Sequence, residues 1–177
     1  MGEIMLERLK CLIKIIKGPK KCAIESGMKI GQGVTVMGGC NFGSEPYLIT
    51  IKDNVRISNN VSFITHDGGN WSFRYLEKYK DVNHFGKIVV EEHSFLGQGA
   101  IIMPGVKIGK NCVIGAGAVV TKSIPDNSVV VGVPAKIICT TYEYAEKMKN
   151  NMPNEWNVES YKKNKRKYLE TTIPDLG

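Results

Sequence analysis

An aliphatic residue recurs at every sixth position through residues 88–125, and this period restricts the fold more than any other feature of the chain. Four positions after each aliphatic residue comes a companion that is mostly small. The aliphatic positions are Val90, Leu96, Ile102, Ile108, Ile114 and Val120, and the companions are Ser94, Ala100, Val106, Cys112, Ala118 and Ile124. A helix would return its apolar residues at intervals of three and four, and a half-buried strand would alternate and then stop. A period of six fits neither.

The six-residue period predicts an all-β fold, a parallel β-helix in which each unit is a short strand and a corner. Three units make one three-sided coil. The aliphatic side chain points into the coil, and the companion fills the space beside it. Gly, Asn and Asp at the corners adopt the backbone angles of sharp turns. Because each coil buries its inner face only by stacking on the next, the array must extend over several coils.

The period begins before residue 88 and is interrupted twice. Ile30–Val36 is predicted to be the first stretch of the repeat, and residues 37–46 are expected to break it as a Gly-rich excursion. The repeat resumes at Ile51, Ile57 and Phe63, with corners at Asp53-Asn54 and Asn59-Asn60. It stops again for a loop insertion at residues 66–87. We therefore predict an N-terminal helix at 1–20, a β-helix domain at 21–139 and a helical tail at 140–177.

The two ends of the chain carry helical patterns. Met1–Lys17 places apolar residues on one face and charged residues on the other, and Gly18-Pro19 is expected to end this helix. Its basic polar face is compatible with a membrane surface, but packing against its own β-helix or a neighbouring subunit is favoured. The tail is predicted to form helices at Thr140–Asn151 and Val158–Glu170. For the basic run Tyr161–Tyr168 a solvated helix face is favoured over nucleic-acid contact, since no nucleic-acid motif accompanies it.

Composition indicates an ordinary globular protein. The 177 residues carry a formal charge of +7, which suggests an anionic ligand or, equally well, a basic solvated surface. Charged residues interrupt the apolar run of the first turns too often for a signal peptide or a membrane span. The five cysteines show no CxxC spacing, so we expect reduced thiols in a cytoplasmic protein, with Cys112 buried at a companion position.

The insertion at residues 66–87 is the best candidate for a binding loop, because insertions in solenoid proteins project from one face. It is rich in aromatic and hydrogen-bonding side chains. Trp71, Arg74 and His84 are predicted to contact the substrate. For Trp71, packing against a neighbouring subunit is an equally good interpretation.

His66 is the candidate general base. It stands where the last regular strand gives way to the loop, and an imidazole can accept a proton from an alcohol near neutral pH. Asp67 is a candidate for orienting the ring. A capping role for His66 at the end of the strand is the alternative.

The three histidines also raise the question of a zinc site, which would need all three imidazoles to converge. His93 lies at a probable corner and His84 in the loop, so two of them lie outside the strands. We predict no metal. No motif for nucleophilic catalysis is present, so direct attack by an activated hydroxyl is the simpler hypothesis.

Several segments together resemble the hexapeptide-repeat acyltransferases, and within them the galactoside, maltose and polysaccharide-biosynthesis O-acetyltransferases. The resemblance covers residues 28–140. It rests on Thr65-His66-Asp67, Phe95–Gln98, Ile114–Gly117, Val120–Pro125 and Gly132–Ile138. It implies a left-handed coil, a homotrimer with active sites between subunits, acetyl-CoA as donor and a hydroxyl on a sugar-type acceptor.

The resemblance also assigns roles to individual residues. His66 matches the catalytic base of the family, Thr121 and Lys122 match the pair at the nucleotide end of CoA, and the backbone of Ala116 matches a contact with the pantetheine arm. Lys136 stands near the expected CoA phosphates, where the family often has Arg. A further cofactor contact is Gln98, which replaces a Ser that is thought to stabilise the oxyanion, so a backbone N–H or the Gln amide is expected to take that role.

Three other functions remain open from the sequence. The same scaffold and histidine would serve an N-acetyltransferase acting on a nucleotide-linked amino sugar, or an antibiotic-modifying acetyltransferase. The third is a β-helix scaffold subunit without catalysis, which would bind no CoA species.

Overall fold

The structure, a computed structural model, describes residues 18–153 and 156–173. The helix predicted at Met1–Lys17 lies outside these residues. Contacts divide the chain into two compact units, Met1–Thr141 and Tyr142–Gly177, and each is described by itself.

The first unit consists of short strands that follow one helix. Helix α1 spans Pro19–Glu25, and short 3-10 helices span Pro46–Leu48, Gly68–Phe73 and Glu77–Tyr79. The strands are β1 (Lys29–Ile30), β2 (Thr35–Val36), β3 (Ile49–Ile51), β4 (Arg56–Ile57), β5 (Ser62–Phe63), β6 (Ile88–Val90), β7 (Phe95–Leu96), β8 (Ile101–Ile102), β9 (Lys107–Ile108), β10 (Val113–Ile114), β11 (Val119–Val120), β12 (Ser128–Val131) and β13 (Lys136–Thr140).

The strands form three sheets, and successive strands pass from one sheet to the next. The orders are β1-β3-β6-β9, β2-β4-β7-β10-β12-β13 and β5-β8-β11. The pairs are parallel, except that β13 runs antiparallel beside β12. A chain that visits three parallel sheets in turn is a three-sided parallel β-helix.

The predicted core positions of residues 88–125 are confirmed. The six aliphatic residues, from Val90 to Val120, are each 0% exposed, and their companions, from Ser94 to Ile124, are at most 7% exposed. The corners also agree with the prediction, because Asn54 and Asn60 have φ of 56° and 59°, in the left-handed region that Asn tolerates.

The predicted break at residues 37–46 is wrong in its first half. Cys40 and Phe42 are buried, and Asn41 forms a parallel bridge with Ser62, so the third side of the first coil is present. The Phe42 ring stacks on Phe63 with centroids 5.3 Å apart. An aromatic residue therefore replaces the usual aliphatic one, and the excursion begins only after Phe42.

The register shows where residues are inserted. Residues that pair on neighbouring coils are 18 positions apart in the sequence for Phe95 and Val113, but 21 apart for Thr35 and Arg56. The separation rises to 39 at the next coil, from Arg56 to Phe95. The large difference corresponds to the segment between β5 and β6, which contains the two 3-10 helices Gly68–Phe73 and Glu77–Tyr79.

Helix α1, Pro19–Glu25, lies across the predicted start of the β-helix domain at residue 21. Gly18 has φ of 76° and ψ of 155° and so is not helical, but Pro19 opens a new helix. Proline suits the first position of a helix, where its missing N–H has no partner to lose. The first strand begins at Lys29.

The second unit contains three helices within its described residues: α2 (Thr141–Asn150, which begins at the last residue of the first unit), α3 (Val158–Lys163) and α4 (Lys165–Thr172). The single helix predicted at Val158–Glu170 is wrong. Asn164, with φ of −151°, interrupts it and caps α4 by accepting a hydrogen bond from the backbone N–H of Lys167. Across residues 18–153 and 156–173, no helix combines the length and apolar character needed to cross a bilayer.

Candidate functional site

His66 lies at the base of the segment between β5 and β6, where the chain leaves the coil and returns to it. His66 forms an antiparallel bridge with Phe85. The backbone N–H of Gly86 donates to Thr65 O at 2.9 Å, and that of Asp67 donates to His84 O at 2.9 Å. The backbone of His66 is therefore part of a short two-stranded ribbon formed by residues 65–67 and 84–86. A side chain placed in this way is on a rigid element next to a projecting loop.

Glu45 reaches the imidazole from the preceding coil. Its Oε2 lies 2.9 Å from His66 Nδ1 and also accepts a hydrogen bond from Thr65 Oγ1 at 2.5 Å. The Thr65 side chain is buried, whereas 44% of the His66 side chain is exposed. The carboxylate is thus fixed from below by a buried hydroxyl, while the imidazole faces solvent.

This contact sets the tautomer of the ring. A carboxylate only accepts hydrogen bonds, so Nδ1 carries the proton when it faces Glu45 Oε2. The lone pair of a neutral imidazole is then on Nε2, where it is available to accept a proton. The arrangement has the form of a general base with an orienting carboxylate.

The same contacts change the acidity of Glu45. The hydrogen bond that Glu45 accepts from the Thr65 hydroxyl, helped by the one it accepts from His66, lowers the pKa of the Glu45 carboxyl below its usual value, although burial acts in the opposite direction. Glu45 is therefore ionised at neutral pH, as its role as an acceptor requires.

The hypothesis that Asp67 orients His66 is wrong. Its Oδ1 accepts a hydrogen bond from the backbone N–H of Gly69 at 2.8 Å and caps the 3-10 helix Gly68–Phe73. Adjacent residues on an extended backbone point in opposite directions, which explains why a carboxylate from another coil takes this position.

The predicted substrate-contacting residues are brought together with His66. A pocket of about 310 Å³ lies beside the imidazole. We call it the loop pocket; its lining includes Glu45, His66, Trp71, Arg74, His84 and Phe85. Trp71 is 77% exposed, and the Phe85 ring lies 5.6 Å from the His66 ring, between centroids.

The predicted cofactor residues lie on later coils and do not line the loop pocket. The Gly117 N–H donates to Gln98 O at 2.8 Å, so Gln98 and Ala116 occupy the same corner on neighbouring coils. Thr121 and Lys122 follow β11, and Lys136 begins β13. All five side chains are exposed.

The backbones of the two coils approach closely at Gly97. A Cβ at Gly97 would lie 2.6 Å from both the backbone N of Ala116 and the backbone O of Ile114. Only glycine allows the two coils to approach this closely at the corner.

His93 and the four cysteines that the structure describes do not line the loop pocket. His93 is exposed at a corner with φ of 59°. Cys112 is buried, as predicted, and burial raises the pKa of its thiol. The described part of the chain brings together no set of three or more His, Cys, Asp or Glu side chains suited to a metal ion.

Sequence reasoning missed Glu45, although a signal was present. Ile30, Val36 and Phe42 are spaced by six, which extends the period into the segment predicted to break it. Phe42 and Phe63 stack across a coil that spans 21 positions, and the same separation joins Glu45 to His66.

Comparison with known proteins agrees with this architecture. The family model described as "Bacterial transferase hexapeptide (six repeats)" matches residues 87–122. A solved hexapeptide-repeat-containing acetyltransferase of Vibrio cholerae, complexed with acetyl coenzyme A, superposes with a TM-score of 0.55 at 26% identity. That alignment covers 64% of this chain and 60% of the Vibrio chain.

Three relatives extend the likeness beyond the repeats. Protein CapG of Staphylococcus aureus is 49% identical over 62% of this chain and 63% of its own length. The galactoside O-acetyltransferase of Escherichia coli is 40% identical over 53% of this chain and 45% of its own. "Putative acetyltransferase C18B11.09c" of Schizosaccharomyces pombe is 32% identical over 77% of this chain and 69% of its own.

The chain spans 63% of CapG and 45% of the galactoside enzyme, so it matches only part of these relatives. Its match to the Schizosaccharomyces pombe protein extends over more than two thirds of that protein. Together with the confirmed six-residue core and the three-sided coil, these matches show that the chain belongs to the family of hexapeptide-repeat transferases.

Proposed function

We propose that this protein transfers an acetyl group from acetyl-CoA to a hydroxyl of a sugar or polysaccharide precursor, with His66 as general base. The observation that carries the proposal is the hydrogen bond between Glu45 Oε2 and His66 Nδ1, which leaves Nε2 free beside the loop pocket. The names of the relatives support acetyl transfer, and the acetyl-CoA complex of the Vibrio protein supports the donor.

The reaction follows from the tautomer of His66. Nε2 takes the proton from the acceptor hydroxyl as the oxygen attacks the thioester carbonyl. The C–S bond then breaks, and the imidazolium returns the proton to the departing thiolate, so that the products are an acetyl ester and free CoA. Glu45 stabilises the imidazolium while it carries the charge. General base catalysis of this kind contributes about 10²–10⁴ to the rate.

The donor contacts are proposed on the later coils. Ala116 would contact the pantetheine arm through its backbone, and Thr121 and Lys122 would lie at the nucleotide end. Lys136 would face the phosphates as a point charge, since lysine lacks the bidentate fork of arginine. Gln98, at the corner shared with Ala116, would stabilise the oxyanion through its amide or a neighbouring backbone N–H.

We place these contacts in a homotrimer of left-handed coils in the cytoplasm, with CoA in the groove between subunits. The exposed apolar side chains Leu76 and Val82 of the loop, which lie outside the lining of the loop pocket, support this arrangement, because a partner subunit would cover them.

The test is a turnover assay with acetyl-CoA and a panel of sugars and amino sugars, followed by mass spectrometry of the products. We expect an ester product, and His66→Ala should lower kcat at least about a hundredfold while acetyl-CoA affinity stays near that of the wild type. His93→Asn, which removes an exposed histidine at a corner outside the lining of the loop pocket, is the matched control and should retain activity.

Unchanged turnover of His66→Ala would exclude this histidine as the base. An amide product would assign N-acetylation instead, and failure to bind any CoA species by calorimetry would favour a scaffold subunit.

A further inference from the structure

We propose that the acceptor bound in the loop pocket carries an anionic group, a carboxylate or a phosphate, and that Arg74 binds it. This inference rests on the proposed acetyl transfer to a sugar and names the class of sugar. The structural basis is an oriented guanidinium that forms no ion pair within the described residues.

Arg74 is held in place by a neutral group. Its Nη2 donates to Asn83 Oδ1 at 2.8 Å, and the same oxygen accepts from Asn70 Nδ2 at 3.0 Å. An amide oxygen orients a guanidinium without cancelling its charge. The ion pairs found among the described residues do not include Arg74.

The two asparagines are themselves fixed by the loop backbone. Asn70 Nδ2 also donates to Val82 O at 2.8 Å, and Asn83 Nδ2 donates to Asp81 O at 3.1 Å. These bonds tie the 3-10 helix Gly68–Phe73 to the returning half of the loop. Arg74 is therefore positioned before any ligand binds, which lowers the entropy lost on binding.

The carboxylates of the loop pocket are already engaged with other partners. Glu45 accepts hydrogen bonds from Thr65 and His66, and Asp67 accepts one from the Gly69 backbone. Neither forms an ion pair with Arg74. With one N–H used by Asn83, the remaining N–H groups of the planar guanidinium can form the bidentate contact that suits a carboxylate or a phosphate.

The neighbouring side chains fit a sugar that bears such an anion. Trp71 lines the same pocket and offers a large exposed ring. An apolar ring, a cation without an ion-pair partner among the described residues and a general base beside one small pocket would bind one acidic sugar unit. Its hydroxyl would face His66 and its anion would face Arg74.

The experiment measures sugar binding by NMR titration with three pairs of probes. Methyl glucuronide is compared with methyl glucoside, methyl galacturonide with methyl galactoside, and glucose 1-phosphate with glucose. The proteins are the wild type, Arg74→Gln and Lys78→Gln. Lys78 lies in the same loop over the Tyr79 ring and does not line the pocket, so its variant matches the charge change.

We expect the wild type to bind a charged probe at least about tenfold more tightly than its neutral counterpart, because hydrogen bonds to charged groups are strong. Arg74→Gln should remove most of this difference, and Lys78→Gln should keep it. Whether the uronides or the 1-phosphate show the preference distinguishes a carboxylate from a phosphate.

Two results would overturn the anionic acceptor: no charge preference in the wild type, including no binding of any probe, or a preference retained in Arg74→Gln. The turnover assay separates this outcome from the proposed function. Equal turnover of charged and neutral sugars would reject the anion and keep acetyl transfer. A charge preference in binding without any turnover would keep the anionic ligand and reject acetyl transfer.

Discussion

Glu45 Oε2 lies 2.9 Å from His66 Nδ1, although the two residues are 21 positions apart in the chain. They meet because each lies just after the third side of its coil. Glu45 comes three residues after Phe42, and His66 comes three residues after Phe63, on which Phe42 stacks. The candidate base and its carboxylate are therefore joined by the stacking of two coils.

Glu45→Gln should lower kcat at least about tenfold, because an amide does not stabilise the imidazolium as a carboxylate does and can present an N–H that favours the wrong tautomer. The measurement is steady-state turnover with acetyl-CoA. Glu77→Gln is the control. Glu77 is an exposed carboxylate of the loop at residues 66–87, and it pairs with Lys80 outside the loop pocket. Equal losses in the two variants would contradict the orienting role of Glu45.

Thr65→Val should lower kcat several-fold, whereas Thr65→Ser should restore most of the activity. Valine has nearly the shape of threonine but lacks the hydroxyl that donates to Glu45 Oε2 at 2.5 Å. Thr65 acts here as a positioning residue, through Glu45. A purely structural role predicts that the melting temperature falls while kcat per folded protein is unchanged, and circular dichroism measured beside turnover separates the two.

The free energy of unfolding should depend on pH through Glu45. Its pKa is lowered in the folded protein, chiefly by the Thr65 hydroxyl, so ionised Glu45 stabilises the fold above the usual glutamate pKa. This contribution is lost as the pH falls through the lowered pKa of the folded state. Urea unfolding of the wild type and Glu45→Gln should therefore differ most near neutral pH and converge in acid. A constant difference across this range would refute the coupling.

Gly97→Ala should destabilise the coil by about 1–3 kcal/mol, because its Cβ would collide with backbone atoms of the next coil rather than with a movable side chain. Gly38→Ala is the matched control, since a Cβ there meets nothing within 4 Å. Thermal unfolding of the two variants checks the prediction. If Gly97→Ala proved as stable as Gly38→Ala, the close approach at the Gly97–Ala116 corner would be disproved.

Much of the coil could be predicted because its pattern is local. Val90, Leu96 and their successors repeat every six residues, since each must fill the same interior position of its own unit. The segment after Val36 is harder to predict, because it is rich in Gly and places the aromatic Phe42 at an aliphatic position of the repeat, after Cys40 at the companion position. Both remain buried, which shows that the interior accepts any apolar side chain that fits.

The sequence by itself determined the repeat, the buried positions, the corners and the placement of His66 where a strand ends and a loop begins. Only the tertiary structure decided that Glu45 orients His66, that Asp67 caps a helix, and that Asn83 holds Arg74 in the same pocket. Burial follows a period that each six-residue unit carries within itself. Hydrogen bonds between coils depend on how many residues are inserted between them, and that register is established when the coils stack.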